Sequence, residues 1–164
     1  MPRRFALQNR SRRATGNRDT WSVLSVSLPG RAASIAEPMS REVSLWKKQP
    51  AVADYAAALS FLNLVFPSAR ARKLVSTLRG TKAVHYAAKD LLRASSLPLL
   101  PRDEAKVEAD LRRLHKHKQL SPVLLVQGDG SRGVPLIVAD GYHRICAICY
   151  HDEDAPVSCR MVRD

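Results

Sequence analysis

Long apolar runs are missing from this chain, and none approaches the ~18 consecutive residues a helix needs to cross a bilayer. The start also lacks the apolar middle segment of a secretory signal. These two absences predict a cytoplasmic protein with no membrane partner. Cysteine is scarce, three residues in 164. An odd number without an export signal argues against a disulfide framework and for reduced thiols. Acid is scarce too, with 15 Asp and Glu against 27 Lys and Arg and a formal charge of +12. That imbalance favours a polyanionic partner.

What is present suits one compact domain with accessory helices: 45% of the residues are hydrophobic, and 164 residues are too few for two ordinary cores. The basic charge falls in two places. Residues 1–40 carry seven arginines (Arg3, Arg4, Arg10, Arg12, Arg13, Arg18, Arg31) against Asp19 and Glu37. The stretch 1–44 has no sustained periodicity and reads as a disordered basic arm. A second stretch, from Arg70 to Lys118, holds thirteen basic residues against five acids. Nucleic acid or a phosphorylated ligand fits both.

From Pro50 the pattern becomes helical. Tyr55, Leu59, Leu62 and Phe66 follow at helical steps and share one face, and Pro50 suits a first turn. Pro67 breaks this helix. Ser68 is the expected cap of a second, with Ala71, Leu74, Val75 and Leu78 as its apolar stripe and Gly80 at its end. Residues 45–80 are thus expected to form a helical hairpin.

Residues 81–164 read as a small α/β domain in the order β-α-α-β-β-α-β. A strand at 83–87 leads into a helical turn near 89–95. Asp103 is the expected cap of a helix whose Val107, Leu111 and Leu114 face inward. Two uniformly apolar runs, 123–126 and 136–139, read as buried strands joined by a glycine-rich hairpin loop. A helix with Ile145, Ile148 and Cys149 inward follows Gly141. In the last strand Val157, Cys159 and Met161 alternate with polar Ser158 and Arg160.

The chemistry concentrates at Asp140-Gly141-Tyr142-His143-Arg144. A strand ends there and a helix begins, so free amides of the first helical turn point at whatever sits above the strand end, where anions bind readily. Gly141 permits the turn and a close approach. Arg144 can clamp a phosphate bidentately, and His143 can donate a hydrogen bond or move a proton. Asp140 either competes with an anion or meets a bridging metal. The plain structural alternative has Asp140 capping the helix, Arg144 paired with an acid such as Asp152, and His143 in a polar niche.

Ser121-Pro122-Val123-Leu124-Leu125-Val126, followed by Leu136-Ile137-Val138-Ala139 and the turn, resembles the ParB/sulfiredoxin superfamily over about residues 83–162. The likeness is strongest to small bacterial members with a preceding helical hairpin. Sulfiredoxins carry Gly-Gly-Cys-His-Arg at this turn and ParB proteins Gly-Glu-Arg-Arg, so Gly141 and Arg144 match both patterns and His143 one. The resemblance implies an α+β fold with a small mixed sheet and a turn that binds nucleotide phosphates through Gly141, Tyr142, His143 and Arg144. A nucleoside di- or triphosphate with Mg²⁺ would be the ligand. Tyr142 stands where sulfiredoxins have their reactive cysteine, so sulfinic-acid repair is not expected. Only Arg163 and Asp164 follow the last strand, so the helix-turn-helix and dimerisation regions of partition proteins are not expected. Should phosphotransfer or hydrolysis occur, Asp140 is the nearest carboxylate to activate an acceptor, and hence the candidate catalytic residue. The rival reading is a nucleic-acid-binding, nuclease-like module using the basic arm and helices.

Three further groups carry weaker signals. Cys146 and Cys149 have redox-motif spacing, but on an apolar helix without a second pair they read as small hydrophobes, and no metal site is expected. His115-Lys116-His117-Lys118 suits the negative end of a helix with or without a ligand. Asp152-Glu153-Asp154 reads as a solvated loop, and His85 and Tyr86 as a half-buried strand pair.

Overall fold

A computed structural model describes residues 45–163. The basic arm expected over 1–44 lies outside the described residues. Two helices, α1 (Val52–Val65) and α2 (Ser68–Gly80), precede β1 (Ala83–Ala87), α3 (Ala88–Ser95), α4 (Ala105–His115), β2 (Val123–Gln127), β3 (Ile137–Asp140), α5 (Tyr142–His151) and β4 (Pro156–Arg163). The described part is α+β, and its element order from β1 matches the expected one.

The four strands form one mixed sheet in the order β1-β4-β2-β3. β4 runs antiparallel to β1 and parallel to β2, while β2 and β3 pair as an antiparallel hairpin. The uniformly apolar β2 sits beside β4 in the middle and is covered on both faces. Val123 and Leu125 enter a core with α3, α4 and α5, including Leu91, Val107, Leu111, Ile145 and Ile148. Leu124 and Val126 face the other way, into a second core with Tyr55, Ala58, Leu62, Leu74 and Leu78 of the hairpin. The hairpin and the sheet thus share a core.

That cover reaches the polar residues of the last strand: Ser158 and Arg160, which alternate with Val157, Cys159 and Met161, are both buried. Helices α1 and α2 lie over the face they occupy, and the Arg160 guanidinium donates to the carbonyls of Arg79 and Thr81 at the end of α2 and to Gln49 Oε1. A charged group is tolerated there because backbone acceptors replace water.

Two helix starts differ from expectation by one residue. Pro67, not Ser68, occupies the cap of α2, where its fixed φ of −54° suits the entry and no side chain bonds the free amides. Glu104, not Asp103, caps α4, its carboxylate accepting from the amides of Lys106 and Val107 at 2.9 and 3.0 Å. The same two bonds hold the Glu104 carboxyl below its ordinary 4.5.

Candidate functional site

Strand β3 ends on an irregularity: Leu125 pairs with Val138, but Leu124 pairs with Asp140, so Ala139 is the extra residue of a bulge. The bulge puts Asp140 opposite Leu124 just before the chain turns. Gly141 then takes φ 101°, a left-handed value that favours glycine, and caps α5 without a side chain. Space makes the same demand. A Cβ at Gly141 would lie 2.9 Å from Val123 Cγ2 and 3.2 Å from two nitrogens of the Arg144 guanidinium. Ile145 is the first residue of α5 whose amide bonds back along the helix, to Gly141 O at 3.1 Å. The amides of Tyr142, His143 and Arg144 are the donors a helix start leaves without intrahelical partners.

The guanidinium that crosses the glycine is not displayed to solvent. Arg144 is 9% exposed, and its fork is engaged by the protein itself. Nη1 donates to Ser121 O at 2.8 Å, while Nη2 bonds the Asp140 carboxylate and lies 3.5 Å from Asp54 Oδ1 on α1. Asp54 is fixed in turn by the Ala51 amide at 2.8 Å and by the Ser121 hydroxyl. Arg144 therefore joins α5 to β3, to the segment leading into β2, and to the hairpin. The pairing with Asp152 imagined in the plain alternative does not occur; the partners are Asp140 and Asp54. Burial pushes the Asp140 carboxyl above its ordinary 3.8, opposed first by the charge of Arg144, and a hydrogen bond from the Gly141 amide also favours its anion.

In front of the turn, facing α4, lies a cleft of about 300 Å³ lined by Lys106, Asp110, Arg113, Asp140, His143 and Arg144, with Ala109 and Gly141 between them. Its α4 wall follows helical spacing: Lys106, Asp110 and Arg113 stand at i, i+4 and i+7. His143 is half-buried, its Nε2 3.7 Å from Glu104 Oε2. Tyr142 turns aside, its hydroxyl donating to Pro98 O. The five residues singled out from the sequence therefore divide. Gly141 and His143 border the cleft, Asp140 and Arg144 border it while bonded to each other, and Tyr142 is tied to the loop before α4.

Asp110 is the residue sequence reasoning passed over. It is 9% exposed, lies 3.4 Å from Arg113 Nη1, and burial raises its carboxyl above 3.8 despite Arg144, Arg113 and His143 nearby. A signal was present: Asp110 stands between Val107, Leu111 and Leu114 on the inward face of α4, where an unpaired carboxylate would be costly.

The weaker groups fall elsewhere. Cys146 and Cys159 are buried, and burial pushes the Cys159 thiol up to about 12, far from a reactive thiolate. No group of three or more metal-binding side chains occurs among the described residues. Asp152-Glu153-Asp154 follows the far end of the ten-residue α5, ~15 Å from the turn. Asp154 pairs there with Lys89. Tyr86 is exposed and lines a different cavity with Val84 and Leu91. No helix among the described residues is long and apolar enough to cross a membrane. Comparisons with protein-family models, with curated proteins and with solved structures found no match.

Proposed function

We propose that this chain is a nucleotide- or phosphate-binding domain of ParB/sulfiredoxin type, acting in the cytoplasm, with its anion site at the start of α5. The observation that carries the reading is the α5 start, capped by Gly141 with no side-chain acceptor on its amides, bordering a cleft of about 300 Å³ that Lys106 and Arg113 line from α4. Amide donors, the positive end of a helix dipole and two cations converge on a space sized for a phosphate group and part of what carries it. The element order and the Gly141-to-Arg144 spacing support the superfamily resemblance.

Within this reading the roles are redistributed. The amides of Tyr142 and His143, the His143 ring, Lys106 and Arg113 contact the phosphate. Arg144 shapes the turn from beneath, and Gly141 makes room for it. Asp140, bonded to Arg144, is a constrained base; Asp110 is the second carboxylate in reach of an acceptor. Mg²⁺ arrives with the nucleotide, since both carboxylates already have arginine partners.

Calorimetry with ATP, ADP and CTP, with and without Mg²⁺, tests the proposal. Binding to the wild type that weakens at least tenfold in Lys106→Ala and His143→Ala is the expected result. Absence of heat with all three nucleotides in a folded protein overturns it. Hydrolysis of whichever nucleotide binds is then assayed in Asp110→Asn and Asp140→Asn.

A further inference from the structure

The stretch His115-Lys116-His117-Lys118 has a use beyond complementing a helix dipole. Helix α4 ends there in a reversal: the His117 amide donates to Leu114 O and the Lys118 amide to Arg113 O, each at 2.9 Å. This is the paired-bond helix stop that normally has glycine at its left-handed position. Here His117 takes that position, at φ 51°. The reversal folds Lys118 back beside Arg113. The segment before α1 then lies along the outgoing chain, with Lys47 N–H donating to Leu120 O and Leu120 N–H to Leu45 O, both at 2.8 Å.

The product is a hollow of about 440 Å³ lined by Lys47, Arg113, Lys118 and Gln119, with no carboxylate. Lys47 and Lys118 have no ion-pair partner among the described residues. Arg113 has Asp110 as a partner at 3.4 Å, while Lys47 and Lys118, drawn beside it from two distant stretches of chain, face no carboxylate in the hollow. Arg113 also lines the turn cleft, so it forms a shared wall between the two spaces. Lys106 and Arg113, seven residues apart on one helix face, are ~10 Å apart along the axis. About three nucleotide steps of one strand of a duplex, at ~3.4 Å of axis each, span that distance.

We propose that the two spaces are one track for a phosphodiester backbone, running from the α5 start past Lys106 and Arg113 to Lys118 and Lys47. The inference rests on the phosphate reading of the turn and names its ligand as a polynucleotide rather than a free nucleotide. No Phe, Tyr or Trp ring lines either space, and the His143 ring at the α5 start is the one aromatic group on the track. Contacts are therefore to the backbone, and binding is independent of base sequence.

The test is fluorescence anisotropy of the full chain with labelled oligothymidine and, separately, with a duplex of equal length, over a series of salt concentrations. Poly-glutamate serves as a control polyanion. The Lys47→Ala/Lys118→Ala variant is expected to weaken oligonucleotide binding at least fivefold and to lower the slope of log K against log salt by about 1.5. Arg72→Ala/Lys73→Ala, which removes the same charge from exposed positions on α2, is expected to leave that slope unchanged. The single-stranded and duplex arms decide which form the track accepts. Equal effects of the two variants, no oligonucleotide binding, or equal affinity for poly-glutamate would overturn the inference. Mononucleotide binding that survives in Lys47→Ala/Lys118→Ala alongside any of these results leaves the turn as a phosphate site and rejects the track alone.

Discussion

Arg144 on α5 reaches Asp54 on α1, Nη2 to Oδ1 at 3.5 Å, across 90 positions of sequence, while the same nitrogen bonds Asp140. One guanidinium thus ties the candidate anion turn to the helical hairpin. Removing it would leave two mostly buried carboxylates facing each other without a counter-charge.

Arg144→Ala is therefore expected to cost stability before it costs any binding. Breaking a buried pair from one side typically costs about 3–5 kcal/mol. Arg144→Lys recovers only part of this, because an ammonium cannot reproduce the planar fork that serves Ser121 O and the two carboxylates. Urea denaturation of the two variants checks both expectations; a loss below about 1 kcal/mol for the alanine variant would contradict the network.

Gly141→Ala is expected to destabilise by about 2 kcal/mol or more. The left-handed φ strains any side chain, and the new Cβ meets Val123 and the Arg144 guanidinium within 3.2 Å. Thermal melts measure the loss. An unchanged melting temperature would mean that the turn does not hold this geometry.

Leu62→Ala tests whether the hairpin and sheet form one cooperative unit. Leu62 is fully buried in the same core as Leu124 and Val126. Truncation is expected to cost about 2–5 kcal/mol, with helix and sheet signals lost in a single transition. Two separate transitions would show that the hairpin unfolds on its own.

The acids give a pH test with opposite signs. Glu104, held down by the amides of Val107 and Lys106, stabilises the fold above pH 4.5, and that contribution fades as pH falls through its folded value. Asp110, pushed up by burial, does the reverse. Its contribution is complete below pH 3.8 and fades as pH rises through the folded value. Carboxyl carbon titrations should place the Glu104 midpoint below 4.5 and the Asp110 midpoint above 3.8; a Glu104 midpoint above 4.5 would contradict the cap, and an Asp110 midpoint below 3.8 the burial.

These relationships mark where the sequence was readable. The helices and strands follow from local periodicity, so α4 and β2 were legible from Val107-Leu111-Leu114 and from the unbroken apolar run of β2. The burial of Arg160 was not legible, because alternation shows which residues share a face and says nothing of a hairpin from far earlier in the chain covering it. The turn was legible as a turn, since Gly141 and the strand-to-helix switch are local. The engagement of Arg144 was not, because Asp54 and Ser121 reach it only through the fold. Asp110 left a faint trace, a carboxylate on an apolar stripe, which becomes meaningful once α4 is seen to wall the cleft.

The central claim is that the first amides of α5 receive a phosphate. Amide-resolved NMR of the isotopically labelled chain, titrated with CTP and ATP, addresses those donors directly. The expected result is saturable shifts of the Tyr142 and His143 amides, accompanied by shifts of Gly141 and Lys106, with Tyr86 and the α2 amides unmoved. Saturable shifts centred elsewhere, or none at the α5 start at millimolar nucleotide, would contradict the account.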